Sequence, residues 1–114
     1  MLKRLLVFIV TVGFCCLMTF NLVAQASSSS LSGEQVFEVH CAGCHIHGGN
    51  IIRRGKNLRM KALHKYGYDS VEAIASIVTY GKNNMSAFDE RLSTQEIQNV
   101  AQYVFQQAEN NWKS

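Results

Sequence analysis

Beyond residue 30, apolar positions recur at helical spacing in three places. Val71, Ile74, Ala75 and Val78 follow the i, i+3, i+4, i+7 rule, and Gly81 closes that pattern. Ile97, Val100, Ala101, Val104, Phe105 and Ala108 form a longer stripe behind Ser93 and Glu96, whose spacing is that of a capping box. Ser32 and Gln35 repeat the spacing ahead of a segment that starts at Gly33 and runs to a pair of cysteines. That segment places Val36, Phe37 and His40 on one side, and Asp69 with Glu72 offers the same cap to the Val71 helix. Gly48, Gly49 and Gly55 predict an irregular loop over residues 46–56, followed by a short helix over 57–64. No stretch alternates with period two long enough to predict a sheet, and no internal repeat is visible. The pattern is all-α, with three to four short helices.

The first 26 residues belong to a different pattern. Lys3 and Arg4 precede an apolar run over residues 5–20, and Ala24-Gln25-Ala26 leads into four serines. A basic start, an apolar middle and small residues that fit a peptidase's narrow pockets predict a secretory signal peptide cleaved after Ala26. The run falls short of the ~20 residues that span a bilayer, which disfavours its rival, an uncleaved anchor. Neither Cys15 nor Cys16 follows the small residue a lipoprotein site needs. Residues 27–114 then form the mature domain.

The 114 residues contain no proline and carry a net charge of +3, which allows one small domain and is too little charge for a nucleic-acid binder. Removing the export segment leaves nine Lys and Arg residues against eight acids, a net charge of +1. The remaining charge is uneven. Arg53, Arg54, Lys56, Arg59, Lys61 and Lys65 share a stretch without an acid, while most acids lie from Asp69 onward. This stretch is either a solvated face or a docking face for an acidic partner.

A helical domain this small has a thin core and gains from a disulfide, a metal or a cofactor. Cys41-Ala42-Gly43-Cys44-His45 is a C-x-x-C-H sequence, the pattern of c-type haem attachment. Two thiols so spaced reach the two porphyrin vinyl groups, and the adjacent histidine brings an imidazole to the iron. Ala42 and Gly43 are small enough to let the backbone lie close to the ring. Attachment occurs outside the cytoplasm, in agreement with the export segment. The same cysteines could instead be a disulfide, a redox dithiol or half of a zinc site. A zinc site needs two further ligands, and His40, His47 and His64 show no paired metal spacing. A redox dithiol would want a βαβ context, which is absent.

The far side of the iron decides the chemistry. Met85 lies in Gly81-Lys82-Asn83-Asn84-Met85-Ser86-Ala87-Phe88, just past the Val71 helix. Its thioether is a soft ligand that favours Fe(II) and leaves no open coordination position. The alternative is a gap-filling methionine beside the ring. Met60 competes poorly, since it lies in a basic segment with no comparable loop.

These residues, with Val100-Ala101-Gln102-Tyr103-Val104, Gln107-Ala108-Glu109 and Trp112 of the last helix, resemble the cytochrome c6 family of cyanobacteria and algal plastids. The likeness covers residues 31–114. It implies the class I cytochrome c fold wrapped around one covalently bound haem c. The first and last helices would cross at Phe37 and Tyr103, with His45 and Met85 as axial ligands. It further implies a soluble, monomeric carrier in the thylakoid lumen or periplasm, serving membrane electron-transfer complexes. These would be a cytochrome bf-type donor and photosystem I or a terminal oxidase as acceptor. Two positions depart from members that serve photosystem I. Ser86 replaces a proline, and Ile77 replaces a glutamine near the haem, as in lower-potential relatives. Arg91 takes the position of an arginine close to the haem edge.

Outer-sphere electron transfer, with no bond chemistry on a substrate, is the expected function. The alternatives are a haem enzyme or sensor with a labile sixth ligand and a membrane-anchored electron-transfer subunit. His47 and His64 are expected to be solvated, Trp112 to cover the end of the last helix, and Tyr66, Tyr68 and Tyr80 to pack or to bind propionates.

Overall fold

The computed structural model describes residues 1–7, 9 and 29–113. The Ala26 cleavage position, Cys15, Cys16 and most of the apolar export run lie outside the described residues. Among the described residues no helix is long and apolar enough to cross a membrane.

Ser32 starts α1 (Gly33–His40) with the predicted capping box: its hydroxyl accepts from the Gln35 N–H while the Gln35 side chain accepts from the Ser32 N–H. The helix does not continue through the cysteines. It stops at Cys41, and α2 (Ala42–His45) is a separate single turn. Two short 3₁₀ turns, Ile46–Gly48 and Arg54–Lys56, interrupt the predicted loop. The short helix α3 (Met60–Tyr66) begins and ends later than predicted and closes on Gly67 in the left-handed region.

Ser70, and not Asp69, caps α4 (Val71–Tyr80) by accepting from the Ala73 N–H. Ser70 has the extended backbone that lets its hydroxyl reach back into the first turn. Asp69 instead pairs with His64 across the α3–α4 link at 2.6 Å. The longest helix among the described residues, α5 (Thr94–Glu109), has the predicted Ser93–Glu96 box. Glu96 also accepts from the Leu31 N–H, and Asn99 donates to the Leu31 carbonyl, which ties the lead-in of α1 to the start of α5. The hydrogen bonds from Ser93, and then from the Leu31 N–H, hold the Glu96 carboxyl below its ordinary range.

The last helix, α5, packs on both α1 and α4. The apolar stripes meet there, with Val36, Val100 and Ala101 wholly enclosed and Ile74, Ala75, Val78 and Val104 around them. Phe105 is only half-buried and stands at the edge of this core. Phe37 and Tyr103 meet at the α1–α5 crossing, ring centroids 5.5 Å apart, and Trp112 joins them 5.1 Å from Phe37. The helices come this close because position 33 is glycine. A Cβ there would fall 2.2 Å from the Asn99 carbonyl oxygen and 2.7 Å from the Tyr103 Cβ. Among the described residues there is no strand, only an isolated bridge between Lys82 and Met85.

Candidate functional site

The short turn α2 carries the attachment motif. Cys41 ends α1 by donating its N–H to the Phe37 carbonyl, then accepts from the N–H groups of Cys44 and His45. Cys44 and His45 therefore stand three and four residues along one turn from Cys41, on a common side. Both cysteines are free thiols. Burial, with Cys44 beside it, pushes the Cys41 thiol up to about 11. That is the opposite of the lowered pKa an attacking redox dithiol needs. Among the described residues no three His, Cys, Asp or Glu side chains gather as a metal site, so half a zinc site finds no second half.

His45 is oriented by the loop that follows it. The Gly49 carbonyl lies 2.8 Å from His45 Nδ1. A carbonyl only accepts, so Nδ1 carries the proton and Nε2 keeps its lone pair for a metal. The loop returns in time to supply this carbonyl because His47 and Gly48 both take positive φ, and Ile51 then donates to the Cys44 carbonyl. Trp112 braces the loop from outside. Its indole Nε1–H donates to the Leu58 carbonyl, and its ring leaves only 2.4 Å for a Cβ at Gly48. Trp112 thus does more than cover the end of α5: it links the chain terminus to the histidine loop.

Met85 stands in a turn that α4 delivers. Lys82 and Met85 exchange both backbone hydrogen bonds at 3.0 Å, with Asn83 in the left-handed region that asparagine tolerates. The turn folds back over Gly81, where a Cβ would lie 2.5 Å from the Met85 carbonyl oxygen. Phe88 then donates to the Val78 carbonyl and re-enters the core.

Cys41, Cys44, His45 and Met85 all line one cavity of about 500 Å³, inside the ~300–1,000 Å³ typical of small-molecule and cofactor sites. Phe37, Leu63, Ile74 and Val78 form its apolar floor. Arg53, Lys56, Lys82 and Arg91 are exposed cations on its rim, and among the described residues no carboxylate lines it. The residues fit a haem: an apolar chamber for the ring, a free imidazole nitrogen, a thioether, two thiols and a cationic rim for two propionates.

Met60 packs on the core without lining this cavity. His47 is exposed, and His64 pairs with Asp69 on the surface. Ile77 lines the chamber, and Arg91 lies against the Phe88 ring at its rim, 4.4 Å from the centroid. Tyr66 and Tyr68 reach the cavity, whereas Tyr80 is 76% exposed and neither packs nor lines it. His40 and Lys82 line it as well; the helical spacing that sets His40 beside Phe37 points to the first, and no spacing rule in the sequence points to the second.

A family model described as cytochrome C oxidase, cbb3-type, subunit III matches residues 29–104. A protein named cytochrome c6-like from Nostoc sp. is 66% identical over 87 residues, covering 76% of this chain and 78% of its own. The chain belongs to the cytochrome c6-like family. Cytochrome c6 of Aphanizomenon flos-aquae is 46% identical over 75% of this chain and 99% of its own. The crystal structure of cytochrome c6C from Synechococcus sp. PCC 7002 superposes with a TM-score of 0.69 at 62% identity, over 70% of this chain and 98% of that one. The fold of this cytochrome is that of class I cytochromes c. It binds one covalent haem c and is an electron-transfer protein, not an enzyme.

Proposed function

We propose that Cys41 and Cys44 add their thiols across the haem vinyl groups, that His45 Nε2 is the proximal ligand, and that Met85 Sδ is the distal one. The observation that carries this reading is the chamber itself, lined by a histidine whose other nitrogen is committed to Gly49 and by a methionine turn. Haem iron bound there supplies a one-electron couple. The chain does the rest. Phe37, Leu63, Ile74 and Val78 exclude water, and the Gly49 carbonyl fixes the imidazole's tautomer and raises its basicity. The thioether fills the position that a substrate or gas would otherwise take.

The carrier works in the thylakoid lumen or periplasm, between a cytochrome bf-type donor and photosystem I or a terminal oxidase. Support comes from the export pattern of residues 1–26 and from the cytochrome c6 relatives. Arg53, Arg54, Lys56, Arg59, Lys61 and Lys65 are all exposed, and Arg53 and Lys56 stand at the chamber's rim. They form the face for acidic partners, with electrons leaving where the rim meets solvent.

The ferric holoprotein is expected to show the near-infrared thioether-to-iron band and to bind cyanide slowly and weakly. Absence of the band with rapid cyanide binding would replace this reading by a haem enzyme or sensor. A second measurement concerns the potential. Ile77 offers the ring no hydrogen-bond donor, whereas glutamine does. Ile77→Gln is expected to raise the midpoint by ~60 mV, the one-electron equivalent of the ~1.4 kcal/mol one such bond is worth. Equilibrium redox titration of the two proteins side by side checks this, and an unchanged or lower midpoint contradicts it.

A further inference from the structure

Lys82 occupies an unusual place. Both of its backbone polar groups are bonded to Met85, yet its side chain leaves the turn and reaches a different part of the chain. There its ammonium donates to the Tyr68 hydroxyl at 3.1 Å and lies 5.6 Å from the ring centroid. Tyr68 makes a firm anchor. It follows the left-handed Gly67 that ends α3, its N–H donates to the Leu63 carbonyl in a Schellman closure, and its half-buried ring packs against the core. Tyr68 and Lys82 both line the haem chamber. The turn is otherwise held by Met85 packing on the core, by Arg91 donating to the Ala87 carbonyl and by Phe88 bonding back to α4. Asn83, Asn84, Ser86 and Ala87 are exposed, and the turn's closing backbone bonds are internal to it.

We propose that Tyr68 and Lys82 form a clasp between the α3–α4 link and the methionine turn, and that Tyr68 is a positioning residue which keeps Met85 in place as distal ligand. This rests on Met85 being that ligand. Without the clasp the turn opens more often, and each opening exposes the sixth position. The hydroxyl acts here, and the ring only carries it.

Stopped-flow binding of imidazole to the ferric holoprotein reads the clasp directly. At high imidazole the rate saturates at the opening rate of the turn, a quantity that mere packing of the Tyr68 ring does not set. Tyr68→Phe keeps the ring and removes the acceptor, and is expected to raise the limiting rate about fivefold, the factor one ordinary hydrogen bond carries. Lys82→Met is expected to raise it similarly, and the double variant no further, because both remove one interaction. An unchanged limiting rate in Tyr68→Phe, or effects of the two variants that multiply in the double, would overturn the clasp. A wild-type protein lacking the thioether band and binding imidazole without saturation would instead remove the Met85 assignment beneath it.

Discussion

With Met85 proposed as the distal ligand, Met85→Ala is expected to turn this cytochrome into a ligand-binding haem protein. Alanine cannot reach the iron, and among the described residues no other methionine lines the chamber. Met60, the nearest chemical substitute, is packed into the core from a helix end that the fold holds elsewhere. The ferric variant is therefore expected to lose the near-infrared band and to bind cyanide at least tenfold more tightly, since no internal ligand has to be displaced first. Its midpoint is expected to fall on the order of 0.1 V, part of the ~0.8 V over which axial ligation moves haem potentials. The direction follows from softness, because thioether sulfur stabilises Fe(II) and water or hydroxide stabilises Fe(III). Spectroelectrochemistry and cyanide titration check both effects. A variant that keeps the band would place the sulfur ligand elsewhere.

Gly33→Ala is expected to reverse the usual sign of a glycine-to-alanine change. By helix propensity alone, alanine is favoured over glycine by up to ~1 kcal/mol. At position 33 the added methyl would instead lie 2.2 Å from a backbone oxygen of α5 and 2.7 Å from the Tyr103 Cβ. Neither neighbour is the free end of a flexible side chain, so α1 must back away from α5. That movement separates Phe37 from Tyr103 and Trp112 and loosens the Leu31 ties to Glu96 and Asn99. Overpacking of this kind costs about 3 kcal/mol, or on the order of 10 °C or more in the thermal midpoint of so small a domain. Thermal unfolding of the ferric holoprotein, followed by far-ultraviolet circular dichroism, measures it. A midpoint equal to or above that of the wild type would show that the crossing has slack.

The helices were legible wherever a local rule governed them. Ser32 with Gln35 and Ser93 with Glu96 act within one turn, so spacing alone placed both caps. The α4 cap went to Ser70 because two neighbouring residues could each serve, and His64, five residues before Asp69, drew Asp69 away. The helix before the cysteines appears continuous in sequence, yet it breaks at Cys41 so that the motif can form its own turn. Phe105 and Tyr80 both carry apolar surface at plausible positions, but Phe105 only reaches the edge of the core and Tyr80 stays exposed.

The candidate attachment motif is a property of the sequence, because Cys41, Cys44 and His45 fall within a stretch of five residues. Helical class and the apolar faces of α4 and α5 are likewise matters of local period. The tertiary structure decided what those residues face. It supplied the Gly49 carbonyl behind His45, seated Trp112 on Gly48, set Ile77 and not Tyr80 at the chamber, and joined Lys82 to Tyr68. Such pairings depend on where α1, α4 and α5 cross, and that crossing is a sum of many weak contacts between distant residues that no short spacing records.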